Sequence, residues 1–187
     1  MVTISLCMIV KNEEKNIYAC LKSASDIVDE IIIVDTGSTD KTIEIAKEFT
    51  DKIYSFQWIN DFSAARNYSF SLASKEYILW LDADDVLLNE DRTKLIDLKS
   101  FLHESIDYVS MYYDITFNNE GKCIFSTIRE RLIKNYKGFY WDCFMHERLN
   151  VWGNHQHTDI HITHTKCHHD NNRNLENFRS KIKDNYL

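Results

Sequence analysis

Proline is absent from the chain and glycine occurs only four times in 187 residues, so no stretch reads as a flexible linker between separate domains. No apolar run reaches the ~18 residues or more of a membrane-spanning helix, and no basic leader precedes the first strand-like segment. The expectation is a soluble, cytoplasmic protein without a transmembrane segment. Positive charge is also in short supply: 22 Lys and Arg stand against 29 Asp and Glu, a formal net charge of −7. A nucleic-acid backbone as principal partner calls for basic patches, and that class of function is set aside. The five cysteines show no C-x-x-C spacing and are odd in number, which argues for reduced thiols. Neither G-x-x-x-x-G-K-[ST] nor G-x-G-x-x-G occurs, so a bound nucleotide has no glycine-rich phosphate cradle to rely on. What is present is 44% hydrophobic residues, enough for the core of one domain of ordinary size.

The richest stretch is Tyr77 to Val86, YILWLDADDV. It opens as an apolar run of the length of a strand buried on both faces and stops abruptly in Asp82, Asp84 and Asp85. Such a cluster at the carboxyl end of a parallel strand lies in the crevice where open α/β sheets bind ligands, and alternate aspartates there hold a hard divalent cation against phosphate oxygens. The competing reading of a bare D-x-D is a solvated acidic turn, and what precedes it decides. Thr3 to Val10, Glu30 to Asp35 and Lys52 to Phe56 read as strands. Segments near 14–25, 41–49 and 63–74 read as helices, the first with Ile17, Tyr18, Leu21 and Ala24 at helical spacing. This alternation predicts an α/β fold with a mostly parallel sheet and helices on both faces.

Parallel strands bring their carboxyl ends to one edge. Asn12 and Glu13 after the first strand, Asp35 at the end of the second, and Asp82 and Asp84 after the fourth are therefore expected to line one crevice of nucleotide size. Asp35 has two readings: acceptor of the imide N–H of a uracil-type base, or cap of the following helix. The main-chain N–H groups of Thr36 to Ser38 are candidate donors to ligand oxygens.

The ordered segments LCMIVKNEE, EIIIVDTGSTDKT, DFSAARN and ILWLDADD resemble the amino-terminal half of family 2 glycosyltransferases with the GT-A (Rossmann-like) fold, and most of all a bacterial branch that includes peptide S-glycosyltransferases. The likeness is dense from Ile4 to Leu88 and thinner to about Cys167. It implies a nucleoside pocket of Val10, Asn12 and Glu13 with Asp35 at the base, Arg66 near base or phosphate, Asp82 near ribose or metal, and Asp84 on the metal. The implied cofactor is Mg2+ or Mn2+ and the implied donor a UDP-sugar, transferred with inversion. Residues 1–170 form the expected domain, 1–88 serving the nucleotide-sugar and 89–170 the acceptor.

After Val86 the pattern changes. A helix over 91–103 precedes a hairpin, Asp107 to Phe117 and Cys123 to Arg129, turned at Asn118 to Gly121. The hairpin adds antiparallel strands in the C-terminal half, and its strand Tyr108 to Phe117 offers an edge to an extended peptide. RERLIKN, Arg129 to Asn135, reads as a charged strand edge, against the alternative that its cations approach phosphates. In GFYWDCFMHERL, Tyr140 reads as core. The resemblance makes Glu147 and His146 the candidate catalytic pair, with Glu147 the base and Asp142 the runner-up. It also assigns His164 to the metal, although Thr165-Lys166-Cys167 replaces an expected aromatic-glycine pair. The other late histidines, from His155 to His169, lack the spacing of a zinc site. Residues 171–187 read as a terminal amphipathic helix that packs on the domain or leads to a partner copy.

A peptide or protein side chain is the favoured acceptor. Two rivals stand beside a transferase: a non-catalytic sugar-nucleotide-binding domain, and a haloacid-dehalogenase-like phosphatase with Asp82 as nucleophile, whose motif normally follows the first strand instead of the fourth.

Overall fold

The computed structural model describes residues 1–143 and 147–165. Four strands and three helices alternate at first: β1 (Ile4–Val10), α1 (Ile17–Ala24), β2 (Glu30–Asp35), α2 (Thr42–Ala46), β3 (Ile53–Ser55), α3 (Phe62–Ser71) and β4 (Tyr77–Trp80). They are followed by β5 (Asp85–Val86), α4 (Asn89–Phe101), β6 (Tyr108–Phe117), β7 (Cys123–Lys134), β8 (Tyr140–Asp142), β9 (Arg148–Asn150) and β10 (His155–His164). One sheet runs β3-β2-β1-β4-β7-β6-β10-β5, and β8 with β9 forms a small second sheet.

The strands are apolar on both sides because both sides are covered. Ile4, Leu6, Met8 and Val10 of β1, Ile31 and Ile33 of β2, and Tyr77 and Leu79 of β4 share one core with Ile17 and Leu21 of α1 and Leu95 and Leu98 of α4. The intervening Cys7, Ile32, Val34, Ile78 and Trp80 share another with Phe70 of α3 and with Trp141 and Leu149 of β8 and β9. Period-two alternation thus divides each strand between two cores, with helices on both faces as expected. Cys7 and Cys20 are buried in these cores, and the four cysteines among the described residues are free thiols.

β3, β2, β1 and β4 are parallel neighbours. β7 runs against β4, β6 against β7, and β10 parallel to β6. Two reversals restore the original direction, so β6 and β10 end at the same edge as β1, β2 and β4.

This order corrects two expectations. RERLIKN is not a charged edge: β7 lies between β4 and β6, and Arg131 within it is wholly enclosed. Nor is β6 an open edge, since β7 and β10 flank it as far as Asp114. Between β4 and β6 the stretch without a second strand partner among the described residues is the first part of β7, which pairs with β4 only at Leu132, Ile133 and Lys134 but with β6 from Cys123 onward. Tyr140 is also not core; it is exposed, and its neighbour Trp141 is the buried ring. The expected terminal helix, 171–187, lies outside the described residues.

Candidate active site

The loops after β1 and β2 are knitted together before any ligand is considered. Asn12 adopts a left-handed conformation, φ 54°, which asparagine tolerates better than most residues. Its N–H donates to Ser38 Oγ at 3.0 Å and its side-chain oxygen accepts from Thr39 N at 2.8 Å. Glu13 N donates to Thr42 Oγ1 at 2.7 Å, and Glu14 N to Asp40 Oδ2 at 3.1 Å. Asp40 also takes the N–H of Thr42, the first residue of α2, at 3.0 Å. The glycine hinge Gly37, φ 105°, permits the turn.

The nucleoside residues inferred from sequence meet here. Val10 is buried, and its carbonyl accepts from Thr36 N at 3.0 Å and Thr36 Oγ1 at 3.1 Å. Asp35 Oδ1 accepts from Ser38 N at 2.9 Å. Two of the three main-chain N–H groups expected to meet a ligand are therefore consumed by Val10 and Asp35. The expectation that Asp35 caps the following helix is not met: Oδ1 serves the loop residue Ser38, short of α2, while Oδ2 carries no hydrogen bond from a described residue.

Across the crevice, α3 and β4 build the second wall. Asp61 caps α3 by accepting from Ala64 N at 3.0 Å. One turn along, Arg66 is buried, with its guanidinium 5.0 Å from the Trp80 ring centroid and 4.9 Å from that of Trp141. It donates to Asp82 Oδ1 at 2.7 Å and approaches Glu147 Oε1 at 3.4 Å. Burial would lift the Asp82 carboxyl, but Arg66 and Arg131 outweigh it and hold Asp82 below the usual carboxylate range. Asn67 exchanges two hydrogen bonds with the Trp141 backbone, 2.8 and 2.9 Å, and so ties α3 to the segment leading to Glu147. Asp142, the runner-up base, is exposed and accepts from Cys143 N at 2.8 Å. His146 lies outside the described residues.

The third wall brings the acidic loop against the end of β10. Ligand atoms of Asp84, Asp85 and His164 all lie within 4.8 Å of one another. His164 Nδ1 is 3.6 Å from Asp84 Oδ1 and 3.6 Å from Asp85 Oδ1, and the Tyr113 hydroxyl hydrogen-bonds to the same nitrogen at 2.8 Å. The facing Asp85 carboxylate, then Asp84, raises the His164 pKa against the effect of burial. Burial, with the charge of Asp82 next, pushes Asp84 up to about 6. Thr165 pins this loop, donating to the Asp84 carbonyl from both N and Oγ1 at 2.8 Å each. The residue that departed from the expected pair thus has a role. Lys166 and Cys167 lie outside the described residues.

Two carboxylates and an imidazole within 4.8 Å of one another, with the buried Asp85 Oδ1 lacking a hydrogen bond among the described residues, fit a hard divalent cation such as Mg2+ or Mn2+. The histidines His155, His157 and His161 do not join them; their rings pack on Tyr108 and Tyr112. Sequence reasoning missed Arg131, Tyr113, Asn67 and Thr165. For Arg131 a signal existed, a lone cation inside the apolar run of a long strand.

The comparisons with known proteins agree with this geometry. The model for glycosyl transferase family 2 matches residues 5–164, from β1 to the histidine of the cation cluster. The SPbeta prophage-derived glycosyltransferase SunS of Bacillus subtilis is 33% identical over 187 residues, covering 98% of this chain and 43% of SunS. A TPR repeat-containing protein of Synechococcus elongatus is 47% identical over 95 residues, 51% of this chain and 24% of that protein. Among solved structures, glucosyl-3-phosphoglycerate synthase from Mycobacterium tuberculosis in complex with Mg2+ and UDP aligns with a TM-score of 0.50 and 25% identity, over 60% of this chain and 44% of that one. The same enzyme in complex with Mn2+ and UDP-glucose aligns equally well. The chain spans less than half the length of each of these relatives. From β1 through the D-x-D loop to His164, the chain belongs to glycosyl transferase family 2 and has its GT-A fold.

Proposed function

We propose that the chain transfers a hexose from a UDP-sugar to an acceptor, with a divalent cation and with inversion at the anomeric carbon, and that the acceptor is a peptide or protein side chain. The observation that carries this reading is the meeting of Asp84, Asp85 and His164 at the sheet edge beside the linked Arg66, Asp82 and Glu147. Asp84 and His164 are the residues suited to hold Mg2+ or Mn2+, which when bound supplies charge stabilisation to a departing diphosphate. Val10, Asn12, Glu13 and Asp35 line the nucleoside side. Arg66 orients Asp82 toward the donor and Glu147 toward the acceptor, where Glu147 takes the proton of the attacking thiol or hydroxyl.

The peptide reading draws support from β7. Its residues before Leu132 have β6 on one side and no strand among the described residues on the other, at the level of the acidic loop. Ile124, Phe125 and Ile128 are exposed there. An extended peptide added to that edge runs along the crevice and presents alternate side chains to it. No helix among the described residues is long and apolar enough to cross a membrane.

Incubation with Mn2+, UDP-glucose and cysteine- or serine-bearing peptides tests the proposal by intact mass. A gain of one hexose on peptide is the expected result, and transfer confined to free sugars or lipids removes the peptide. Because the chain spans under half of its relatives, a second reading is a sugar-nucleotide-binding domain without turnover. Binding of UDP-glucose with neither transfer nor slow UDP release selects it. Release of phosphate from simple monoesters, the mark of the phosphatase rival, is not expected.

A further inference from the structure

Arg131 is 0% exposed, and among the described residues it is the largest side chain so enclosed. A charge held there needs partners on every side. Its Nη1 donates to Asp85 Oδ2 at 2.9 Å and to the Trp80 carbonyl at 3.2 Å. The guanidinium lies 3.9 Å from the Trp80 ring centroid and 4.5 Å from that of Tyr113. Each partner bears on the cation cluster. Asp85, itself 0% exposed, accepts the Asp82 N–H at 3.0 Å through that same Oδ2, which fixes the start of the acidic loop. Its Oδ1 has no hydrogen bond among the described residues and faces His164 Nδ1 at 3.6 Å. The Tyr113 hydroxyl holds that nitrogen at 2.8 Å. Trp80 is the last residue of the strand that delivers the loop.

We propose that Arg131 is a positioning residue of the cation site: through Asp85, Tyr113 and Trp80 it sets how Asp84 and His164 face one another. The inference rests on the metal reading of that cluster. Electrostatics alone predicts the opposite sign, because a guanidinium beside the carboxylates repels a divalent cation and its loss would tighten binding. Arg131→Lys separates the two effects. It keeps the charge and a donor, but its tetrahedral ammonium has no planar face to lie between the Trp80 and Tyr113 rings while one nitrogen serves both Asp85 and the Trp80 carbonyl.

The test is a calorimetric Mn2+ titration of the full chain without donor, on the wild type, Arg131→Lys and Trp80→Phe, each first checked by circular dichroism. Partners that orient metal ligands are typically worth about 10–100-fold in affinity. Folded Arg131→Lys is accordingly expected to bind Mn2+ at least about tenfold more weakly. Trp80→Phe, which retains a ring but offers the guanidinium a smaller face, should weaken binding in the same direction by less. Equal or tighter binding by folded Arg131→Lys overturns the proposal. If Arg131→Lys does not fold, Trp80→Phe decides, and unchanged affinity there overturns it. A wild type that binds no Mn2+ overturns the metal reading and this inference together, whereas a binding wild type with an unaffected variant overturns only the inference.

Discussion

The two halves of the sheet reach the same edge by different routes. Before Val86, each strand is followed by its helix and returns parallel, so Val10, Asp35 and Asp82 stand at or just past the carboxyl ends of β1, β2 and β4. After it, β6 and β10 come into line with β4 only because β7 is inserted between β4 and β6. The first half builds a crevice from neighbouring loops that hydrogen-bond to each other, as Asn12 does with Ser38 and Thr39. The second half supplies single side chains from different strands and loops: Tyr113, Glu147 and His164 beside Arg66 and the acidic loop, and Arg131 enclosed behind Asp85. Under the proposed function, the donor pocket forms from local sequence, while metal completion and acceptor chemistry depend on the strand order of the whole sheet. Substitutions in the first half should change donor binding, and those in the second should change what happens to the bound donor.

Glu147→Gln is the severest test of that division. The amide keeps the shape and a contact to Arg66 but cannot take a proton. Transfer should fall by about 10²–10⁴-fold with UDP affinity nearly unchanged. Full transfer activity in the variant takes Glu147 out of the mechanism. Asp84→Ala should act on both halves at once, since the cation joins them. Mn2+ affinity is expected to fall by ~100-fold or more, beyond the loss typical of a supporting partner, and UDP binding with it. Equal UDP affinity with and without EDTA, measured by calorimetry, would break the link.

Glu30 gives the contrasting case, at the amino ends of the same strands. Its burial favours the neutral acid, but hydrogen bonds from Lys52, Ser5 and Ser74 outweigh this and hold its pKa down at about 2. A depressed carboxyl stabilises the fold in full above its ordinary pKa near 4.5 and loses that contribution as the pH falls toward 2. Glu30→Ala strands three polar partners and should cost ~1–3 kcal/mol of stability in urea unfolding. Mn2+ and UDP affinities of the folded variant should stay as they are. A loss of UDP affinity without a loss of stability would show that the two ends of the sheet are not separable.

How much was legible follows the same division. The β1 to β4 alternation, the two-sided burial and the gathering of Asp35, Asp82 and Asp84 at one edge follow from periodicity, which is local. The position of β7 does not. RERLIKN has the alternating charge of a protected edge, and only pairing with residues more than fifty positions earlier puts Arg131 inside. Tyr140 reads as core and is exposed for a related reason, because the face a three-residue strand buries is set by α3 packing on it through Asn67, and nothing in GFYWD encodes that.

The pH dependence of metal binding probes the junction itself. Burial and the neighbouring Asp82 charge raise Asp84 to about 6, so below that pH a proton competes for the carboxylate that the cation needs. Mn2+ affinity should fall as the pH drops through about 6, by up to about tenfold per pH unit for the proton on Asp84, and more steeply where His164, whose pKa is also raised, must lose a second proton to the cation. The raised value also means that the apo protein is less stable at pH 7 than Asp84 alone would allow at pH 4, because stability from the neutral acid is lost as pH rises through about 6. Added Mn2+ should reverse that loss at pH 7 and not at pH 4. Melting curves at the two pH values, with and without the ion, check it, and equal shifts at both would place the binding elsewhere.

The finest distinction concerns Asp35, to which the proposed function gives a second use beside its bond to Ser38 N. Its Oδ1 accepts from Ser38 N at 2.9 Å and shapes the loop, leaving Oδ2 for the imide of a uracil-type base. Asp35→Asn separates these, because the amide oxygen can still accept from Ser38 while the amide nitrogen meets the imide donor to donor. If both uses are real, the fold and the melting temperature should hold, and UDP affinity should weaken by about fivefold, the worth of roughly 1 kcal/mol for one hydrogen bond. Pyrophosphate, which has no base, should bind the variant and the wild type alike. Calorimetry with the two ligands in the presence of Mn2+ decides it. Equal losses for UDP and pyrophosphate would mean that Asp35 acts only through the loop it shapes, and the contrast between a locally built donor pocket and a remotely completed metal site would then lose its base-reading residue.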